Sequence, residues 1–110
     1  MRDNTKGGAL TEVTFYILLS LFTPRHGYAV MQFIEETTGG RLSLGAGTLY
    51  GALNTLEAKG WIAVVPDTGR AGRKKEYRIT GQGREIAAKE LKRLQDLTQT
   101  AVKIMGETYE

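Results

Sequence analysis

The chain has 110 residues, of which 41% are hydrophobic and 25% are charged, the balance of a single globular domain. It contains no cysteine, which excludes disulfides, thiolate metal sites and a cysteine nucleophile and is consistent with a cytoplasmic protein. The net charge is only +3, and we expect neither a signal segment nor a membrane span, because the longest apolar run is too short.

The first part of the chain predicts a flexible N-terminus followed by an apolar helix. Residues 1–9 are polar and contain glycine, a composition typical of a frayed end. Thr11 is the predicted N-cap of a helix that runs to Phe22 and is apolar on most sides. Pro24 and Gly27 then interrupt the pattern.

A second and a third helix follow, separated by a short turn. The second is predicted in YAVMQFIEETTGG, where Val30, Phe33 and Ile34 share one face and the glycine pair ends the helix. The third is predicted in GTLYGALNTLEAKGW, where leucines recur at the spacing of one buried helical face. Two helices joined by a short glycine-containing turn are a candidate helix-turn-helix.

The third helix is unusual on the side away from its leucines. It carries a glycine in its middle, at a cost of about 1 kcal/mol relative to alanine, beside small polar groups. Such a side suits the major groove of DNA, because the helix backbone can approach the base edges closely. The alternative is that these groups merely pack on the domain or face solvent. The residues predicted to face the groove are Thr48, Tyr50, Gly51, Asn54 and Thr55, with Arg41 and Ser43 near the DNA backbone ahead of the helix.

A glycine-rich loop between two short strand-like runs, WIAVVP and KKEYRIT, predicts a hairpin. The window from 69 to 78 holds five cations and one carboxylate, so it carries +4 and the remaining residues together carry −1. Such a basic hairpin beside a helix-turn-helix suits phosphate contacts, and a solvated basic loop is the alternative. The cations predicted to bind the DNA backbone from this wing are Arg70, Arg73, Lys74 and Lys75.

One long helix is predicted from residue 81 to residue 110, capped by Thr80 or Gln82. Its apolar positions follow a 3-4 spacing close to a heptad repeat, which favours a partner helix, although packing on its own domain is the alternative. The residues predicted to line a dimer seam, with help from the first helix, are Leu91, Leu94, Thr98, Ala101 and Met105.

These stretches resemble the PadR family of bacterial transcription regulators. The matching motifs are HGY at the second helix, GTLY..L..LE..G.I in the third, and GR.K.YRIT..G after the basic loop, and they span about residues 10–85. The resemblance implies a winged-helix DNA-binding repressor, of the short branch with a single C-terminal helix, that dimerises through that helix and the first helix.

Some members of that branch are similar to multidrug sensors that stack flat aromatic compounds on a tryptophan of the C-terminal helix. This chain departs from them, because its C-terminal helix has no aromatic residue before Tyr109 and its Trp61 lies at the start of the wing. Glu76 also stands where many relatives carry an aromatic or uncharged residue. Drug sensing is therefore not expected.

The sequence thus predicts an α+β, mostly helical fold, with a winged helix-turn-helix and a two-stranded wing over residues 10–80 and a dimerisation helix over 81–110. The expected function is a homodimeric transcription regulator, a repressor that binds a pseudo-palindromic DNA operator and is released by an unidentified small effector at the dimer interface. The alternatives are a protein-interaction module and a ligand-binding sensor. Catalysis, cofactors and metals are not expected, because His26 is the lone histidine and no metal-ligand spacing occurs.

Overall fold

The computed structural model describes residues 5–6, 8–66 and 75–106. Four helices carry most of the fold, and short strands join them. The elements in chain order are β1 (Thr5–Lys6), β2 (Ala9–Leu10), α1 (Glu12–Ser20), β3 (Arg25–His26), α2 (Gly27–Thr37), α3 (Ala46–Ala58), β4 (Ile62–Val64), β5 (Glu76–Ile79) and α4 (Gly81–Met105). The mostly helical α+β fold agrees with the sequence prediction.

Side-chain caps and glycines set the helix boundaries. The Thr11 hydroxyl accepts a hydrogen bond from the Thr14 amide at 3.2 Å, and the Thr80 hydroxyl accepts one from the Gly83 amide at 3.0 Å. Both threonines are therefore N-caps, as predicted, and Thr80 rather than Gln82 caps α4. Gly60 ends the third helix with a φ of 82°, a conformation that favours glycine.

The core forms where α1, α2 and α3 converge on the small sheet. The three leucines predicted to face inward from α3, Leu49, Leu53 and Leu56, are fully buried. Trp61, at the start of the wing, is also buried in this core. The other members of the core are Leu10, Ile17, Leu18, Leu21, Val30, Ile34, Ile62, Tyr77 and Ile79.

β4 and β5 pair antiparallel as the two strands predicted for the wing, and the sheet contains one further antiparallel strand, in the order β3–β5–β4. The extra strand is β3, in which Arg25 pairs with Tyr77 and His26 pairs with Glu76. Two residues after Pro24 are too short to show a strand period, and they pair only because α1 and α2 bring them beside β5. The loop after β4, with Arg70, Arg73 and Lys74, lies outside the described residues.

Residues 5–6 and 8–9 are the described part of the N-terminal end for which the sequence predicts flexibility. β1 and β2 pair antiparallel, and the Leu10 amide donates a hydrogen bond to Glu90 Oε1 at 3.2 Å. Glu90 is buried and also accepts hydrogen bonds from Arg93 at 3.0 and 2.7 Å. The Arg93 bonds outweigh burial and, with the Leu10 amide, hold the pKa of Glu90 below its usual value. This buried carboxylate attaches the N-terminal hairpin to α4.

α4 is 25 residues long, about 37 Å at the rise of an α-helix. Gly83, Ala87 and Glu90 are its buried residues, so its first half packs on the domain. Gly83 has to be a glycine, because an added Cβ would overlap the carbonyl oxygen of Trp61. The second half of α4 is largely exposed. No helix in the described part of the chain is long and apolar enough to cross a membrane.

Candidate nucleic-acid interface

The buried leucines of α3 leave a smooth outward side on this helix. At 3.6 residues per turn, the residues opposite the leucines are Gly47, Gly51, Asn54 and Ala58, and all four are exposed. A Cβ added at Gly51 would meet no atom within 4 Å, so this glycine faces open space and is not required by packing inside the domain. This side of α3 therefore offers a surface without large side chains to an outside partner.

Thr48 and Thr55 lie on one flank of that outward side. Thr48 is exposed, whereas Thr55 is half-buried and its hydroxyl donates a hydrogen bond to the Gly51 carbonyl at 3.1 Å. This bond is within the helix, and a hydroxyl can rotate to a new partner when one approaches. Asn54 is exposed between the centre of the outward side and the opposite flank.

Tyr50 lies on the other flank of α3 and packs on the start of α2. The side chain is 41% exposed, and its ring tip covers Gly27. A Cβ at position 27 would come within 2.5 Å of the Tyr50 hydroxyl oxygen and 2.7 Å of two ring carbons. Tyr50 therefore contacts the domain surface, the alternative considered for it, and the glycine of the HGY motif makes room for the ring.

The same flank of α3 faces the strand that returns from the wing. Tyr77 on β5 is 3% exposed, and burial, followed by the negative charge of Glu57 and the phenol of Tyr50, raises its pKa. Glu57 and Tyr50 lie two turns apart on α3, so both are on the flank directed toward β5. A cluster of α2, α3 and wing residues thus forms at this flank.

Arg41 and Ser43 precede α3 as predicted, but Arg41 has a partner within the protein. Its guanidinium donates two hydrogen bonds to the Glu12 carboxylate of α1, at 3.1 and 2.5 Å. These bonds lower the pKa of Glu12 and raise the pKa of Arg41, while both side chains are more than half exposed. Ser43 is exposed. Arg41 can reach a phosphate only by leaving or sharing Glu12.

Lys75 is the predicted wing cation that falls within the described residues. It is exposed, and its carbonyl oxygen lies 3.4 Å from His26 Nδ1, where a protonated Nδ1 donates a hydrogen bond. Arg70, Arg73 and Lys74 belong to the part of the chain that is not described. Glu76, next to Lys75, is half-buried and pairs with His26 across the sheet.

The predicted dimer stripe runs along α4 as an apolar surface. Leu91, Thr98 and Met105 are exposed, and Leu94 and Ala101 are half-buried. The stripe is accompanied by three more exposed apolar side chains, Leu97 at 56%, Val102 at 44% and Ile104 at 79%.

A cleft of about 370 Å³ opens between α1 and α4 and meets the stripe at Leu94. Its apolar wall comes from Leu10, Phe15, Tyr16, Leu19 and Leu94, and its charged groups are Glu12, Glu90 and Arg93. Both carboxylates of the cleft are hydrogen-bonded to arginines. Within residues 8–66 and 75–106, no group of three or more His, Cys, Asp or Glu side chains could hold a metal ion.

Comparison with known proteins identifies the family. Residues 17–89 match the transcriptional regulator PadR-like family, so the match covers both helices of the helix-turn-helix, the sheet and the start of α4. The chain belongs to the PadR-like family. The resemblance drawn from the sequence motifs is therefore confirmed.

Among its relatives, the chain is 42% identical over 67 residues to an uncharacterized 37.1 kDa protein in transposon TN4556 of Streptomyces fradiae. That match covers 61% of this chain and 18% of the longer protein.

Two solved structures show the fold of the family. A PadR family transcriptional regulator from Eggerthella lenta superposes with a TM-score of 0.72 and 24% identity, covering 86% of this chain and 82% of that one. Bacillus subtilis PadR in complex with operator DNA superposes with a TM-score of 0.63 and 23% identity, covering 73% and 46%. The winged-helix fold is shared with both proteins.

The sequence did not predict the group of residues that forms around the Tyr50 flank of α3. The sequence pattern marks Gly27 only as helix punctuation, and it does not single out Glu57 or Tyr77 for this flank. Gly27, the glycine before Tyr28, was the one residue in the sequence that could have indicated this contact, because the start of a helix does not itself require glycine. Its partner lies 23 positions further along the chain, so no local pattern could link the two.

Replacing Glu57 with glutamine should lower the pKa of Tyr77, because it removes a negative charge that opposes ionisation of the phenol. Burial should still keep this pKa above its usual value. An NMR titration of ring-labelled tyrosine measures the change. Glu85→Gln, which removes an exposed carboxylate from α4, is the matched control and should leave the Tyr77 titration unchanged. An unaltered pKa in Glu57→Gln would contradict the described proximity.

Proposed function

We propose that this PadR-family protein is a sequence-specific DNA-binding transcription regulator that acts as a homodimeric repressor on a pseudo-palindromic operator. The observation that carries the proposal is the smooth, exposed outward side of α3, centred on Gly51. Four exposed residues without bulky side chains there allow a helix to lie deep in a major groove. The hydrogen-bonding groups of Thr48, Asn54 and Thr55 would then meet the base edges, with Ser43 near a phosphate.

Stability alone does not account for glycine at position 51. The position is in a helix interior, where alanine would be more stable by about 1 kcal/mol, and open space surrounds it. A residue that weakens its own helix without easing any internal contact fits a surface that another molecule approaches closely. Duplex DNA is the partner that the adjacent basic wing favours.

Replacing Gly51 with glutamate should reduce DNA affinity at least about tenfold, because a carboxylate would face phosphates and base edges. The side chain has room, so the fold should persist. Binding is measured by fluorescence anisotropy on genomic duplex fragments recovered with the wild-type protein. Lys103→Gln, on the exposed side of α4, changes the net charge equally and should bind within about twofold of wild type. Equal affinities for the two variants would remove the outward side of α3 from the interface.

The wing supports the proposal through its charge. The +4 window, residues 69–78, runs into β5, and β4 and β5 contribute residues to the core that also holds the leucines of α3. Its cations therefore lie on or next to a strand close to the recognition helix. We propose that Arg70, Arg73, Lys74 and Lys75 contact phosphates. Arg41 would join them by sharing its guanidinium between Glu12 and a phosphate.

The salt dependence of binding tests the wing. The logarithm of the affinity falls linearly with the logarithm of the salt concentration. Each phosphate contact makes this slope steeper by about 0.9, because it releases counterions. Arg73→Ala combined with Lys74→Ala should flatten this slope by about 0.9 for each phosphate that the variant no longer binds. The control pair, Lys89→Ala with Lys103→Ala on the exposed side of α4, removes the same charge and should keep the slope. If the two double variants gave the same slope, Arg73 and Lys74 would make no phosphate contacts.

Dimerisation is proposed from the second half of α4. An apolar stripe that continues past the domain for several turns exposes side chains that a second copy can cover, and Ile104 alone is 79% exposed. The heptad-like spacing suits another helix of the same kind. Two-fold symmetry would then present two copies of α3 to half-sites about 34 Å apart, or to a multiple of that spacing.

Ala101→Asp should convert the dimer to monomer at micromolar concentration, because it buries an unpaired charge in the seam. Thr100→Asp places the same carboxylate on the opposite, exposed side of α4 and should leave the dimer intact. Sedimentation velocity measures both variants, and circular dichroism verifies that both remain folded. A dimer that persists in Ala101→Asp would put the interface on another surface.

A small effector at the dimer interface completes the proposal. The cleft between α1 and α4 meets the stripe at Leu94 and has both apolar and charged walls, so a bound molecule would touch the surface that sets the dimer geometry. Recovery of bound genomic fragments, with and without a metabolite library, tests this part, because an effector would change which fragments the protein retains. An intact dimer that retains no DNA would favour a protein-interaction module instead.

A further inference from the structure

We propose that Tyr50 is a positioning residue of the DNA-binding surface: its ring rests on Gly27 and thereby fixes the recognition helix α3 relative to the wing. This inference goes beyond the proposed function, on which it rests, by assigning Tyr50 a task other than reading bases. Gly27 provides the space for the ring, and the strand before it connects this position to the wing.

The first step is the contact between Tyr50 and Gly27. The ring tip occupies the volume in which any other residue at position 27 would place its Cβ. Gly27 is buried although it has no side chain, because the ring covers it. The contact joins the first residue of α2 to the first turns of α3, the two helices of the helix-turn-helix.

The second step leads from Gly27 to the wing. The two residues before it form β3, where His26 pairs with Glu76 and Arg25 pairs with Tyr77 of β5. His26 Nδ1 also lies 3.4 Å from the carbonyl oxygen of Lys75, the residue just before the start of β5. A single backbone segment, residues 25–27, therefore contacts both the wing strand and the tyrosine of α3.

The third step is that Tyr50 is on the flank of α3 that faces the sheet. Its flank partner Glu57 and the buried Tyr77 belong to the same cluster, as the effect of Glu57 and Tyr50 on the Tyr77 phenol indicates. Gly51 and Asn54, by contrast, are exposed on the outward side. The tyrosine thus sits between the two elements proposed to contact DNA, and it connects them through packing.

A positioning residue affects the spacing of the DNA-binding elements and makes no contact with the bases itself. A helix in the major groove and a wing at the phosphates bind together only when their spacing matches the duplex, so losing the ring should weaken binding although no DNA contact is removed. The aromatic ring supplies this packing, and the phenol hydroxyl is not needed for it.

The first test needs no DNA. Gly27→Ala should change the Tm differently in the wild-type and Tyr50→Ala backgrounds, by at least about 2 °C. The added methyl group overlaps the ring in the wild-type background, whereas Tyr50→Ala removes the three atoms nearest to that methyl group. Gly47→Ala, a helical glycine of α3 with nothing within 4 Å, is the matched control and should give equal changes in both. Equal changes for Gly27→Ala as well would overturn the proposal.

The second test uses DNA and three variants. Tyr50→Phe should retain operator affinity and the ratio of operator to random-sequence affinity within about twofold, whereas Tyr50→Ala and Gly27→Ala should each lose about tenfold in operator affinity. A large loss in Tyr50→Phe would mean that the hydroxyl reads a base, and wild-type affinity in Tyr50→Ala would mean that the ring positions nothing. Either result overturns the proposal.

The two tests keep this inference distinct from the proposed function. If the wild-type protein retains no duplex DNA, the proposed function fails, while the thermal cycle still measures whether Tyr50 and Gly27 act together. If DNA binds but the thermal cycle shows independent effects, DNA binding stands and the positioning role is rejected.

Discussion

The burial of Leu49, Leu53 and Leu56 is the constraint on which the rest of the structure depends. All three side chains are fully buried, so α3 cannot rotate about its axis without exposing them to water. Holding one side of a helix inward determines what the other sides present. Gly51 and Asn54 must face outward, the two threonines must lie on one flank, and Tyr50 must lie on the other.

The Tyr50 flank and the outward side of α3 then differ in their neighbours, and this difference explains their composition. On the Tyr50 flank the neighbours are the start of α2 and the strand β5, so an aromatic ring can cover a glycine and a carboxylate can approach a buried phenol. On the outward side the domain supplies no neighbour to Gly51. Glycine at this position costs the helix about 1 kcal/mol relative to alanine, and no contact within the described part of the domain requires it.

The long helix α4 joins two regions with different requirements. Its first half is tied to the domain by Ala87 and by Glu90, whose carboxylate binds both Arg93 and the amide of Leu10. Its second half has the same apolar spacing but lacks domain atoms to cover it, as the exposure of Leu97 and Ile104 shows. One heptad-like pattern therefore serves internal packing at one end and an open apolar surface at the other.

The sequence by itself determined the features whose signal is local. The leucine spacing of α3, the cap at Thr11, the order of helices around a hairpin, and the PadR motifs could all be identified, because each depends on residues a few positions apart. The sequence left the cap of α4 open between Thr80 and Gln82, and the structure selects Thr80. The tertiary structure alone decided that Arg25–His26 becomes a third strand. It also decided that Tyr50 rests on Gly27, and that Arg41 and Leu10 find carboxylates 29 and 80 positions away. Such contacts depend on where packing places distant segments, so the spacing of residues within one segment cannot predict them.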